Sequence, residues 1–112
     1  MKIGVLGGSF DPIHNGHIRM AALAKYKYNL QKILIVPLNQ PWLKKVKTHA
    51  SPSQRIEMCE IAIKKYKSFE VSDVDIVRGG ISYMIDTIND LKNKADKQDK
   101  FFVIIGDDNI EN

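Results

Sequence analysis

At 112 residues the chain has room for one modest α/β core, since a hydrophobic core of this size makes a single domain, and no second domain is expected. An apolar share of 44% and a charged share of 27%, without any long Pro/Gly/Ser tract, exclude disorder. The formal charge of +4 and pI near 9.2 favour anionic ligands, phosphate or nucleic acid, but the lysines are scattered rather than blocked.

In chain order, Met1-Lys2-Ile3-Gly4-Val5-Leu6 enters a strand pattern at once, and the apolar run from Ile3 to Gly7 reads as a buried parallel strand ending in Gly7-Gly8. A helix is expected from Ile18 to Tyr28, capped at Asn15. Ile33-Leu34-Ile35-Val36 is a second buried strand, stopped by Pro37. The densest basic stretch, Lys44-Lys45-Val46-Lys47, reads either as a solvated loop or as a phosphate-facing one. Ser51 as cap, Pro52 in the first turn and Gln54 three residues on open a second helix over Ser53 to Tyr66. In it Ile56, Cys59, Ile63 and Tyr66 recur at helical spacing, which makes the lone cysteine a buried, inert thiol and excludes an internal disulfide framework. Phe69-Glu70-Val71-Ser72 is a weaker third strand. A third helix begins near Ser82, with Met84, Ile88, Leu91 and Ala95 on one face. Phe101-Phe102-Val103-Ile104-Ile105-Gly106 is an uninterrupted apolar run and is expected to be a strand covered on both faces.

The order βαβαβαβ predicts an α/β, Rossmann-like parallel sheet with helices on both faces, joined by right-handed crossovers. Ligands of such sheets bind beyond the carboxyl ends of the strands, which points to four segments: Gly7 to His17, Pro37 to Lys47, Asp73 to Ser82 and Gly106 to Asn109. No apolar run approaches the roughly 18 residues of a bilayer span. With a single cysteine in keeping with a reducing compartment, a cytoplasmic protein without membrane partners is expected.

The first of these segments carries the chemistry. Gly7, Gly8 and Gly16 remove Cβ atoms where backbone would approach a phosphate, and the positive end of the first helix favours an anion. His14 and His17 straddle that helix start, where both can donate N–H bonds to one phosphate, above all to the extra charge of a pentacovalent transition state. No residue set has the spacing of a metal site, and neither a P-loop nor a dinucleotide-binding glycine motif is present.

Gly8-Ser9-Phe10-Asp11-Pro12-Ile13-His14-Asn15-Gly16-His17 resembles the G-x-F-D-P-x-H-x-G-H signature of the HxGH nucleotidyltransferases. Within that superfamily the whole chain is most similar to the bacterial nicotinate-mononucleotide adenylyltransferases. The supporting matches are Pro37 and Pro41, Gln54-Arg55 with Met58, Arg78-Gly79-Gly80 leading into Ser82-Tyr83 and Asp86-Thr87, and Ile105-Gly106-Asp107-Asp108. The resemblance implies adenylyl transfer from ATP, with magnesium, to nicotinate mononucleotide. It implies that His14, His17 and Lys44 act on phosphate, and that Gly7, Gly8, Ser9, Phe10, Gly16, Gly106 and Asp108 shape the nucleotide site. Ser82, Tyr83, Met84 and Trp42 would meet the acceptor. Asp107 or Asp108 reads equally as a helix cap, and Arg55 either as a second phosphate clamp or as an exposed partner of Glu57 or Glu60.

Three departures from the family pattern stand out. Pro41-Trp42-Leu43-Lys44 replaces Pro-Pro-His-Lys, so that Trp42 stacks on a base or covers apolar surface. Ser82-Tyr83-Met84 replaces Ser-Tyr-Thr and loses a hydroxyl near the acceptor ring. The chain also ends at Asn112, before the family's second nucleotide signature, Ser-(Ser or Thr)-x-x-Arg, and reads as C-terminally incomplete, with self-association through the exposed edge of its last strand expected. Other acceptors, such as phosphopantetheine or the amide mononucleotide, and a non-catalytic nucleotide-binding remnant are the alternatives. A nucleic-acid-binding domain rests on charge alone, because no aromatic residues interleave with a basic stripe.

Overall fold

The computed structural model of the protein describes residues 1–40 and 49–105. The chain forms strand β1 (Lys2–Gly8), helix α1 (Asn15–Lys27), strand β2 (Lys32–Pro37), helix α2 (Pro52–Ile63), strand β3 (Phe69–Val71), helices α3 (Val74–Arg78) and α4 (Met84–Lys94), and strand β4 (Lys100–Val103). All pairings are parallel, in the order β3-β2-β1-β4. This is a Rossmann-like α/β sheet.

Strand alternation decides which residue faces which layer. Leu6, Ile33, Ile35 and Phe69 join Ile18 and Ala21 of α1 and Cys59 and Ile63 of α2 on one face. Ile3, Val5, Leu34 and Val36 join Val74 of α3 and Leu91 of α4 on the other. The register Gly4↔Ile33 and Val5↔Leu34 keeps the two sets in step. Burial of each such side chain contributes about 1.5–3 kcal/mol.

Helix α2 starts as its sequence directs: the Ser51 side chain accepts from the Gln54 N–H and the Gln54 side chain from the Ser51 N–H, with Pro52 in the first turn. Helix α2 ends at Ile63 and α4 begins at Met84, each shorter than periodicity suggested. Three expectations are corrected. Asn15 is the first helical residue and His14 is the cap, because an imidazole nitrogen reaches the Gly16 N–H. The stretch between β3 and α4 contains the short helix α3, whose Val74 and Asp75 are both buried; five residues are too few to show a helical period. Strand β4 is not covered on both faces: among the described residues it pairs only with β1, and Phe102 and Val103 are 39% and 40% exposed.

The chain builds outward from β1 in one direction through β2 and β3, then crosses to the opposite side of β1 for β4. That reversal places the switch point at the carboxyl end of β1, where ligands of open parallel sheets bind. Gly8-to-His17 leaves the sheet at that point.

Candidate nucleotide-binding site

The loop after β1 is organised by its own side chains. His14 Nδ1 accepts the Gly16 N–H at 3.1 Å, and His17 Nδ1 accepts the His14 N–H at 3.0 Å. Each neutral imidazole therefore carries its proton on Nε2, a donor suited to phosphate oxygen. The two rings stack at 3.7 Å between centroids, and His17 meets the edge of Phe10 at 5.1 Å and 88°. Phe10 is buried and takes φ 49 to turn its ring under the loop.

Gly16 is open for a specific reason: a Cβ there would lie 2.9 Å from His14 Cε1. The space is filled by the histidine that caps the helix. The helix N–H of Gly16 is thus satisfied within the chain, so the donors offered to an anion at this helix start are imidazole N–H groups rather than the Gly16 amide. At Gly7 a Cβ would meet Met84 Cε at 2.8 Å, and at Gly8 the Phe10 ring at 3.0 Å. Gly7 and Met84, assigned to nucleotide and acceptor respectively, are therefore neighbours.

Asp11 ties this loop to the segment before α2, accepting the N–H groups of His49 at 2.6 Å and Ala50 at 2.9 Å. The His49 hydrogen bond, first among the causes, holds its carboxyl below the usual value against the opposing effect of burial. Asp11 joins Pro12 through a cis peptide bond.

Arg55 is neither an exposed partner of Glu57 or Glu60 nor a phosphate clamp. It is fully buried, and its guanidinium donates to three backbone carbonyls: Ser9 at 2.9 Å, Leu38 at 2.6 Å and Asn39 at 3.4 Å. Burial lowers its pKa, while the charges of Asp11 and Asp75 oppose that shift. A planar fork suits carbonyls on two separate loops, so Arg55 holds the ends of β1 and β2 at a set spacing. Its Nε finds no partner among the described residues.

Ser82 is buried, and its hydroxyl is engaged on both sides, donating to Asp75 and accepting the Gln40 N–H at 3.1 Å. Tyr83 is the N-cap of α4 without a side-chain cap bond, and Met84 opens the helix. The centre that sequence reasoning missed is Asp75. Its carboxylate, without solvent exposure, accepts from Asn39 N at 2.8 Å, Thr87 Oγ1 at 2.7 Å, Ser82 Oγ and the Arg78 guanidinium. Burial pushes its pKa up, but the bonds from Ser82, Asn39 and Thr87 and the charge of Arg78 together hold it below the usual range. The available signal was an acidic residue inside the apolar Val74–Val77 run with an arginine three residues on. Trp42, Lys44, Gly106 and Asp108 lie outside the described residues.

Residues 5–112 match the model of the cytidylyltransferase-like family. The chain belongs to that family. A Borreliella afzelii protein bearing the name probable nicotinate-nucleotide adenylyltransferase is 41% identical over 112 residues, all of this chain and 58% of that one. The chain thus spans little more than half the length of its curated relatives. A Vibrio parahaemolyticus structure, named as a nicotinate-nucleotide adenylyltransferase candidate, shares the fold with a TM-score of 0.75 at 16% identity, over 98% of this chain and 63% of that one. A Plasmodium falciparum nicotinic acid mononucleotide adenylyltransferase complexed with NaAD gives 0.68 at 18% identity, over 91% and 50%. Among the described residues no helix of this cytidylyltransferase-like chain is long and apolar enough to cross a membrane. Nor does any group of three His, Cys, Asp or Glu stand together there as a metal site would require.

Proposed function

We propose that this family member is the nucleotide-binding portion of an adenylyltransferase that moves AMP from ATP to nicotinate mononucleotide, giving deamido-NAD and pyrophosphate. The observation that carries the reading is the stacked His14/His17 pair at the switch point, both Nδ1 atoms engaged by backbone N–H groups. An acceptor phosphate oxygen attacks the α-phosphorus in line, the bond to the β-phosphate oxygen breaks, and pyrophosphate leaves. The chain supplies positioning and N–H donors for the charge that builds on the transferring phosphoryl, without a covalent intermediate.

Magnesium enters on the triphosphate as part of the substrate and neutralises the departing pyrophosphate. This suits the loop's donor set, whose carboxylate, Asp11, is already taken up by the N–H groups of His49 and Ala50. By resemblance, Lys44 adds charge to the phosphates, Gly106 belongs to the nucleotide site and Asp108 binds a ribose hydroxyl; Trp42, where the family pattern differs, is assigned to the acceptor. Ser82, Tyr83 and Met84 set the acceptor against Gly7. Helix α4 starts there without a side-chain cap but with Asp86 in its first turn. A cytoplasmic setting accords with the single cysteine and with ATP as donor.

A second reading is nucleotide binding without turnover. Pyrophosphate release is measured with ATP, magnesium and either mononucleotide, beside ATP binding by calorimetry. Turnover with the nicotinate form, lost in His17→Ala, supports the enzyme; ATP affinity without pyrophosphate supports the binding module; neither would sink both readings.

A further inference from the structure

Every donor to Asp75 comes from one of three neighbouring segments: the loop after β2, its own short helix, and the segment that opens α4. Oδ2 takes the Asn39 N–H and the Ser82 hydroxyl, while Oδ1 takes the Thr87 hydroxyl and Arg78. The two loops also bond directly, with Ser82 N–H to Gln40 O at 2.8 Å, Gln40 N–H to Ser82 Oγ at 3.1 Å, and Asn39 Nδ2 to Gly80 O at 2.9 Å. Arg55 grips the Asn39 carbonyl from the opposite side and reaches Ser9 of the phosphate loop. The peptide units around Asn39 are thus held by Asp75 on the acceptor side and by Arg55 on the nucleotide side. Met84, carried two residues beyond Ser82, places its methyl against Gly7.

We propose that Asp75 is a positioning residue for the acceptor site, fixing Ser82-Tyr83-Met84 and the start of α4 at a set distance from the phosphate loop. This rests on the acceptor assignment proposed above. The physical ground is that a carboxylate offers about four acceptor positions and no donor, and at least four donors converge on this one. An asparagine there would lose acceptor capacity and turn an NH2 group toward hydroxyl and N–H donors. Loss of about 1 Å of registry at a reacting pair is enough to slow a transfer strongly, and no part of Asp75 itself needs to touch a ligand.

The test compares the full chain with Asp75→Asn, Asp75→Glu and Thr87→Val. Affinities for ATP and for nicotinate mononucleotide are measured separately by calorimetry, with amide exchange followed at Asn39, Gln40 and Ser82. We expect Asp75→Asn to weaken mononucleotide binding at least ten-fold while ATP affinity moves less than three-fold, with partial rescue in Asp75→Glu. Equal losses for both ligands, or unchanged mononucleotide affinity, would overturn the proposal. Should Asp75→Asn not fold, Thr87→Val must show the same selective loss at smaller size, about three-fold, and an unselective loss overturns it. If the native chain binds ATP but not nicotinate mononucleotide, the acceptor reading fails on its own. Positioning is then decided by exchange: faster exchange at Gln40 and Ser82 together in Asp75→Asn upholds it, and unchanged protection overturns it.

Discussion

His14 and His17 each do two things at once: one ring nitrogen satisfies the backbone of the loop, and the other is set as an N–H donor. Truncating His17 removes the support of the His14 amide together with the transition-state donor proposed above. We expect His17→Ala to lower kcat about 10²–10³-fold, the scale of losing one preorganised oxyanion donor, with a smaller change in the KM for ATP. A loss confined to KM would place His17 in ground-state binding instead. Cys59 lies without exposure on the core-facing side of α2, and burial pushes its thiol up to about 12. It should resist a thiol reagent at pH 8 in the native chain and react at once after unfolding in urea. Rapid native reactivity would show that α2 opens readily from the sheet.

At the scale of elements, buried charge joins the loops at the carboxyl ends of the strands. Arg55 spans β1 and β2, and each carbonyl it serves would cost about 1–3 kcal/mol if left bare. Arg55→Met is therefore expected to lower the unfolding free energy by about 2–5 kcal/mol, out of the ~5–15 kcal/mol typical of such domains. Arg55→Lys should retain only part, because an ammonium lacks the planar fork; urea titration measures both. The acidic partners give the pH dependence. Asp11 and Asp75 both have pKa values below the ordinary one in the fold. Each adds stability that is complete above the unfolded value of about 3.9 and disappears as pH falls through the lower folded value. Stability should be level from about pH 7 to 5 and fall steeply below about 4. In Asp11→Asn the fall should be shallower, and a curve as steep as that of the native chain would remove Asp11 from this account.

At the scale of the whole molecule, helices cover both faces of the central strands, while among the described residues β4 pairs only with β1 and stays partly exposed. Phe102, Val103 and Ile105, the last 66% exposed, stand on or just beyond that strand, and an apolar strand edge is a template for pairing with another chain. We expect concentration-dependent self-association, measured by sedimentation, and Val103→Lys to reduce it by placing a charge at the edge. A monodisperse monomer at high concentration in both forms would refute this.

The strand runs, the capping box at Ser51, the burial of Cys59, the parallel α/β class and the family to which the Gly8-to-His17 motif points were all legible from residue order. Each depends on local periodicity or on partners within a few positions. What tertiary structure alone decided are long-range matters. Arg55 looks like a surface residue among Glu57 and Glu60, yet meets carbonyls at positions 9, 38 and 39. Asp75 looks like one more acidic residue, yet gathers donors from positions 39 to 87. Even the loop motif did not disclose that Gly16 makes way for the imidazole of His14. Apolar pattern records which face a residue presents, but the partner of a buried charge is fixed by strand order and register, which bring together segments that no local spacing relates.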